Sequence, residues 1–434
     1  MHIHQVSTLP DIPNPCNLPG MKVIHVVTTT NVGGAQIMLQ RYLSALGENA
    51  ASHSVISLVP SGPIAPDIEA LGVQVADLGL SPGRVTPAAL WRLRRLLRDA
   101  KPDIVHGWMY HGCLAAWAGL IGNRRKDGPA LVWGVHHSLQ DIANEKRSTR
   151  WVVRLMAAMS KRVDLITYCS GVSQDQHEAI GFCKDNVDLI PNAVDTEVFK
   201  PDPDARARLG AICKIPDGRL IVGNVARGHP MKDHVSMVRA TAMLIEMGHD
   251  VQAVLVGEGL SDSPAVQTAS ELGIRDRVTA LETRSDVHSI VPGFDIFLLS
   301  SAWGEAFPLA VAEAMAAGVP CVVTDVGDCA LLVGDTGRVV APAAPQEQAK
   351  AVASLIDAGQ AARNELGQRA RARVSEHFSA PRYVDRHDAA YARALNRATG
   401  KGADETQFGQ ASQDKLAHSP STQKVSPNRG DRRY

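Results

Sequence analysis

Two carboxylates, two cations and a glycine pair carry most of the chemistry legible in this chain. Glu305 and Glu313 flank the start of a short helical segment within SSAWGEAFPLAVAEAMAAGVPCVVTDVGD, residues 300–328. Pro308 suits the first helical position, where its missing N–H costs nothing. LAVAEAMAA then runs up to Gly318, a good C-terminal cap, and Pro320 prevents continuation. A helix start presents free N–H groups and the positive end of a dipole, which suits a diphosphate. Glu313 stands five residues after Pro308, roughly 7.5 Å further along at 1.5 Å per residue. A diphosphate at the helix start would therefore leave one carboxylate near each end of a nucleotide-sugar. Carboxylates accept strongly from hydroxyls, so sugar and ribose hydroxyls are natural partners. Taken alone, an ordinary capped helix with exposed glutamates would leave the same pattern.

The cations lie in NVARGHPMKDH, residues 224–234, after an apolar strand and before a helix. Arg227 and Lys232 are five apart across a Gly-His-Pro turn, and two cations aimed at one spot can neutralise a diphosphate leaving group. The glycine pair is Gly33 and Gly34 in TTTNVGGAQIML, residues 28–39, where a strand passes into a helix. Glycine there allows close backbone approach to a phosphate or sugar, though a tight turn explains the pair equally well. Four histidines complete the set: His106 and His111 in DIVHGWMYHG, His136 and His137 in WGVHHS. Both stretches end predicted strands, at the edge where a ligand would sit. His106 and His111 lack i,i+4 spacing and an acidic companion, which argues against a metal site; packing or acceptor-side hydrogen bonds suit them better.

These residues must be positioned by elements, and the pattern of elements is regular. Short β-rich apolar runs (Val23–Thr29, His53–Val59, Asp103–Trp108, Ala130–His137, Asp164–Ser170) alternate with helical stretches such as Ala35–Leu46 and Leu90–Ala100. Near residue 200 the texture changes: PNAVDTEVFKPDPDA holds three prolines and three aspartates and reads as an interdomain linker. The alternation then resumes with Arg219–Ala226, a helix over Lys232–Met247, Val251–Gly259, Arg277–Glu282, Asp295–Ser301, Pro320–Gly327 and Gly337–Pro342. Nearly continuous apolar strands between helices mean a parallel sheet covered on both faces. Two doubly wound halves follow, and such sheets bind ligands outside the carboxyl ends of their strands. Two halves facing each other make a deep cleft.

Composition narrows the function. The chain has 434 residues, 45 Lys+Arg against 45 Asp+Glu, and 4% aromatics. Balanced charge argues against a general nucleic-acid binder, and scarce aromatics against a single-strand stacking platform. Seven cysteines, odd in number and without C-x-x-C spacing, point away from a disulfide framework or structural zinc and towards a reducing, cytosolic compartment. No apolar run approaches the roughly 18–20 residues that cross a bilayer, and residues 1–20 lack the plan of a secretory signal. Residues 1–20 and 401–434 read as disordered ends, with Met21 an alternative natural start.

The chain resembles the large family 4 of retaining glycosyltransferases of GT-B fold (glycosyl transferases group 1). The signature is a pair of glutamates separated by seven residues, here Glu305 and Glu313, followed by the EAMAAG of residues 313–318. Ala306 and Pro308 stand where the common pattern has glycines, which leaves the sugar open. The resemblance implies an α/β chain of two Rossmann-like domains facing a central cleft: an acceptor-side domain over 21–200, a nucleotide-sugar domain over 201–380, and a helix over 381–400 returning to the first domain. It implies that Glu305 holds donor-sugar hydroxyls and Glu313 the ribose. It implies that Arg227 and Lys232 grip the donor phosphates, in a motif where Ala226 replaces a glycine. Gly33 and Gly34 match the family loop across the cleft. His136, with His137 as the fallback, matches a histidine near the reaction centre. Ala306, Phe307, Pro308 and Leu309 fall in the donor loop. Thr283 and Arg284 match a base-pocket segment, with Glu282 where glycine is common. IPNAVDTEVFKP (Ile190–Pro201) matches the family hinge, with Ala193 replacing glycine.

The activity so implied is metal-independent transfer of a hexose-type sugar from a nucleoside-diphosphate donor, UDP or GDP, to a hydroxyl acceptor with retention. No resident cofactor or metal is expected; partners are the donor and a glycan or lipid-linked acceptor, not nucleic acid. A cytoplasmic location follows, at the inner face of the membrane if the cation-rich stretches Trp91–Ala100 and Lys146–Arg162 lie on anionic lipid; a solvated helix face is the plainer reading of both. An exopolysaccharide or cell-envelope pathway fits the resemblance. The rivals are a GT-B nucleotide-sugar epimerase and a catalytically silent binding subunit. An NAD-dependent oxidoreductase is disfavoured, because no first-half strand is followed by a full G-x-G-x-x-G with an acidic residue about 20 positions on.

Overall fold

The computed structural model describes residues 20–81, 83–122, 128–139, 142 and 146–400. The predicted end segments, 1–20 and 401–434, lie outside the described residues except for Gly20. Seven strands form the first sheet: β1 (Val23–Val27), β2 (His53–Ser57), β3 (Gln74–Asp77), β4 (Ile104–Trp108), β5 (Ala130–Val135), β6 (Leu165–Tyr168) and β7 (Val187–Leu189). Their spatial order is β3-β2-β1-β4-β5-β6-β7, and every pairing is parallel. Six more form the second: β8 (Leu220–Val225), β9 (Val251–Val256), β10 (Val278–Leu281), β11 (Ile296–Leu299), β12 (Cys321–Thr324) and β13 (Gly337–Val340). Their order, β10-β9-β8-β11-β12-β13, repeats the same plan in parallel pairings. Both sheets therefore reverse direction of winding at one point, between β1 and β4 and between β8 and β11, and a crevice opens outside the strand ends there.

Central strands are buried along their whole length because helices cover both sheet faces; β1, β4, β5, β6, β9, β11 and β12 have no exposed residue. The edge strands β3 and β7 are only partly buried and carry no continuous apolar run, so the sequence pattern does not reveal them. Pro308 is the N-cap rather than the first helical residue: the helix opens at Leu309 and ends at Ala316.

The chain crosses between the sheets twice, and the crossings touch. Val194, on the proline-rich connection, donates its N–H to the Phe378 carbonyl at 2.9 Å and bridges Ser379 in parallel. Arg371 clamps the same connection through the carbonyls of Thr196 (3.2 Å) and Phe199 (3.1 Å). The last helix, Ala380–Ala398, then lies on the first domain, where Tyr383, Ala390, Tyr391 and Ala394 join the core built on Val23, Val27, Val55 and Ile104.

Candidate active site

Lys232 and Glu305 meet at the crevice of the second sheet. Near the end of β8 lies Asn224, whose buried amide donates to the Leu298 carbonyl (2.7 Å) and pairs with His234 Nε2 (3.1 Å). The loop between closes in a 3-10 turn at Pro230–Lys232, followed by Asp233 in the left-handed region (φ 46°). Asp233 caps the helix His234–Glu246 by accepting from the Ser236 N–H at 3.2 Å. From the other side, Ser300 Oγ donates to the Lys232 carbonyl and the Ala302 N–H to the Met231 carbonyl, both at 2.8 Å. So fixed, Lys232 Nζ donates to Glu305 Oε1 at 2.6 Å, and Ser301 Oγ donates to the same oxygen at 2.5 Å. The Lys232 and Glu305 side chains keep 17% and 8% of their exposure, so the pair is largely out of water yet reachable. An ammonium has three N–H bonds, and Glu305 uses one. Arg227 is exposed at the start of the loop and makes no ion pair with a described residue.

Glu313 has a partner that the sequence did not announce. Arg41 Nη2 reaches its Oε1 at 2.6 Å, while Arg41 Nη1 donates to the Ala193 carbonyl of the interdomain connection at 3.0 Å. Burial holds the Glu313 carboxyl above its usual range, and the Arg41 charge pulls it part of the way back. Arg41 lies two helical turns beyond Gly34 on the helix Gly34–Ala45, on the face that starts at the glycine pair. That spacing was the available signal. Gly33 is the N-cap of this helix and no side chain caps it, so its first N–H groups remain open. Gly34 is exposed.

His136 follows β5 and is half-buried. Its Nδ1 pairs with Asn192 Oδ1 at 3.0 Å, and its ring stacks on Trp108 with centroids 4.9 Å apart. Burial pushes its pKa down to about 4, so the ring is neutral near pH 7. With Nδ1–H donating to Asn192, Nε2 is left as an acceptor. His137 is half-buried beside the Tyr110 ring, with centroids 6.0 Å apart. His106 is not at the cleft edge. It is fully buried in the middle of β4 and bonds Tyr391 through Nδ1 at 2.8 Å, so its part is packing the last helix. His111 is exposed on the helix Met109–Leu120.

The donor-loop residues divide. The Phe307 ring is buried against Phe378 (centroids 5.4 Å apart), which leaves only its backbone for a ligand. The Ala306 carbonyl accepts from the Asp328 N–H at 2.9 Å. Pro308 is buried and Leu309 half-buried at the uncapped helix start. On the β10 side, Thr283 is exposed, and Arg284 is held by both oxygens of Asp286 at 2.8 Å, so its guanidinium already has an acidic partner. Glu282 accepts from the Gly259 and Ser261 N–H groups at 2.9 Å and so pins the neighbouring loop. Hydrogen bonds from Ser261, then Gly259, hold its carboxyl down to about 2.

The two halves line an open cavity of about 250 Å³ beside Glu305, walled by Ser138, Val172 and Gln176 of the first and by Trp303 and Asp325 of the second. Close by, Asp328 crosses the cleft and accepts the N–H groups of Gly171 (2.8 Å) and Val172 (3.3 Å), which open the helix Gly171–Ala179. Among the described residues no group of three or more His, Cys, Asp or Glu side chains is arranged to hold a metal.

Two facing sheets with an anion-ready crevice are the GT-B architecture of glycosyltransferases. The structure superposes on Anabaena Alr3699/HepE, crystallised in complex with UDP, with a TM-score of 0.74 at 21% identity, covering 86% of this chain and 100% of that one. Two family models match, "Glycosyltransferase Family 4" over residues 32–198 and "Glycosyl transferases group 1" over residues 208–373. Between them they take in both walls of the cleft, and the chain belongs to this glycosyltransferase family. EpsF of Bacillus subtilis, a protein assigned to the glycosyltransferases, is 27% identical over 319 residues, 70% of this chain and 79% of EpsF. The Escherichia coli UDP-Gal:alpha-D-GlcNAc-diphosphoundecaprenol alpha-1,3-galactosyltransferase is 26% identical over 244 residues, 55% of this chain and 62% of the enzyme.

Proposed function

We propose that this glycosyltransferase moves a hexose-type sugar from a nucleoside-diphosphate donor, UDP or GDP, to a hydroxyl of a glycan or lipid-linked acceptor, with retention and without a metal ion. The observation that carries the reading is the Lys232–Glu305–Ser301 cluster at the crevice of the second sheet, facing the first domain. In this reading Lys232 keeps Glu305 and turns its remaining N–H bonds to the diphosphate, joined by Arg227 from the loop. Two cations stabilise the charge that develops on the leaving phosphate, which is where electrostatic catalysis is strongest. The N–H groups at the Leu309 helix start add to this. Glu305 accepts from donor-sugar hydroxyls and stabilises the positive charge growing at the anomeric carbon. His136, neutral, accepts a sugar hydroxyl through Nε2. The departing phosphate oxygen takes the acceptor proton on the same face, which gives retention. Glu313 takes the ribose hydroxyls through the oxygen that Arg41 leaves free.

The named activities of the relatives, one on a UDP-sugar and a diphosphoundecaprenol-linked acceptor, support an exopolysaccharide or envelope-glycan role. Two helices support peripheral contact with anionic membrane. On Pro87–Ala100 the Trp91 ring is 63% exposed among arginines, and on Arg147–Met159 the Trp151 ring is 74% exposed. No described helix is long and apolar enough to span a bilayer.

Thermal unfolding with UDP, GDP, ADP and NAD, each with and without EDTA, tests the donor assignment. At a hundredfold excess over its dissociation constant a ligand adds about 2.7 kcal/mol. One nucleoside diphosphate should stabilise the protein regardless of EDTA, and Glu313→Ala should weaken the effect. Stabilisation by NAD alone, or by none of the four, overturns the reading. Nucleotide-sugar binding with neither transfer nor slow hydrolysis identifies a silent subunit instead.

A further inference from the structure

The cavity beside Glu305 has the chemistry of a sugar-ring site, and its walls reach beyond the donor residues above to Ser138, Gln176, Trp303 and Asp325. Trp303 lines it and is 39% exposed. An indole ring suits the C–H face of a pyranose, which is apolar, while the sugar's edge carries hydroxyls in alternating directions. The walls read such an edge. Gln176 Oε1 is occupied by the Leu139 N–H (2.6 Å) and Ser138 Oγ (3.0 Å), so its amide NH₂ is the group offered to the cavity. The Asp325 carboxylate is exposed on the opposite wall as an acceptor. One apolar platform, a donor and an acceptor around 250 Å³ match a small number of placed polar groups in a half-apolar pocket.

The platform also packs against the loop that carries the phosphate grip. Gly304 has φ +77°, and a Cβ there would lie 2.3 Å from Met231 Sδ, so the Trp303–Gly304 turn is pressed onto the Lys232 loop. Gly327 (φ +59°) presses the facing loop onto the Glu305 carbonyl, where a Cβ would come within 2.2 Å. We propose that this cavity binds the acceptor, and that the acceptor presents a pyranose ring there, stacked on Trp303 and read by Gln176 and Asp325. The acceptor is thus a glycoside or glycan rather than a simple alcohol. This rests on the donor reading above, which places the reacting carbon at Glu305.

The full chain, saturated with whichever of UDP or GDP raises its Tm, is titrated with methyl α-D-glucopyranoside, methyl α-D-galactopyranoside and methyl N-acetyl-α-D-glucosaminide, with glycerol as control. Binding is followed by saturation-transfer NMR. At least one glycoside should bind where glycerol does not. Trp303→Ala should weaken it tenfold or more, and Trp303→Phe should keep it within about threefold, while the nucleotide-induced rise in Tm stays intact in both. Equal glycoside affinity in Trp303→Ala overturns the assignment, and so does a panel in which no glycoside binds the nucleotide-loaded protein. If no nucleoside diphosphate shifts the wild-type Tm, the donor reading has failed, and this inference fails with it.

Discussion

A lysine 2.6 Å from a nearly buried carboxylate has two separable roles, and Lys232 is where they can be told apart. It neutralises Glu305 in the resting protein, and in the proposed reaction it also grips the leaving phosphate. Lys232→Ala removes both. Ser301 Oγ still bonds Glu305, so the fold should survive with a loss of about 2 kcal/mol, the scale of a charge-assisted hydrogen bond. Transfer should fall at least a hundredfold. Turnover within a few-fold of wild type in a folded Lys232→Ala protein would remove the phosphate-grip assignment. That Lys232 and Glu305 both belong to the cleft was read from the sequence, because each lies in a loop after a strand bordering the crevice; their direct ion pair was not. Arg41 was not. Its partner lies 272 positions away, and no local period encodes an ion pair between two domains.

Among the elements, the helix Gly171–Ala179 shows how one domain completes the other. Its own cap, Ser170, serves the Ser173 N–H at 3.0 Å, and the N–H groups of Gly171 and Val172 are served from the second domain by Asp328. A carboxylate there meets both the unpaired N–H groups and the helix dipole. Asp328→Ala should cost about 1–2 kcal/mol, the range for losing a helix N-cap. Asp328→Asn should recover part of that, because the amide oxygen still accepts. Denaturant titration of the two variants reads the difference; identical midpoints for Asp328→Ala and wild type would show that the clasp carries no stability. In sequence terms the loop DVGD is only a turn after β12, and nothing in it names a helix more than 150 residues earlier.

Over the whole molecule, the first domain is built around histidines that folding keeps neutral. His25 Nε2 and His53 Nδ1 lie 2.9 Å apart, Trp108 Nε1 donates to His25 Nδ1 at 3.0 Å, and His106 bonds Tyr391 of the last helix. Burial, reinforced by neighbouring histidines, drives His25 and His106 far below the ordinary value, and burial lowers His53 and His136 to about 4 and His387 to about 3. A group whose folded pKa is depressed binds its proton first in the unfolded chain. Stability is therefore fully present above about pH 6.5 and is lost as pH falls towards 4. The urea midpoint should drop steeply between pH 7 and pH 5, by at least about 2 kcal/mol in unfolding free energy, and the His53→Gln variant should show a shallower slope. A flat profile over that range would show that the row is not buried neutral in solution. The surface makes a second whole-molecule prediction. The helices with Trp91 and Trp151 flank Met109–Leu120 on one side of the first sheet. Co-sedimentation with vesicles rich in anionic lipid should exceed that with neutral vesicles, and Trp91→Ala combined with Trp151→Ala should reduce it. Equal recovery with both vesicle types removes the membrane-contact reading.

The amino-acid sequence by itself determined the two sheets, because buried parallel strands must be apolar along their length and helices between them must alternate. It also determined which loops bear the chemistry, since a strand-to-helix turn with cations, glutamates or paired glycines has few other uses. It could not show the edge strands β3 and β7, whose half-exposed residues lack the apolar signature, or that Phe307 faces the core and His106 the last helix. The tertiary structure alone decided the contacts across the cleft, Arg41 on Glu313 and Asp328 on the helix at Gly171, and the walls of the cavity that Trp303 lines. Periodicity records which face of an element is buried. It carries no record of what a distant element brings to that face.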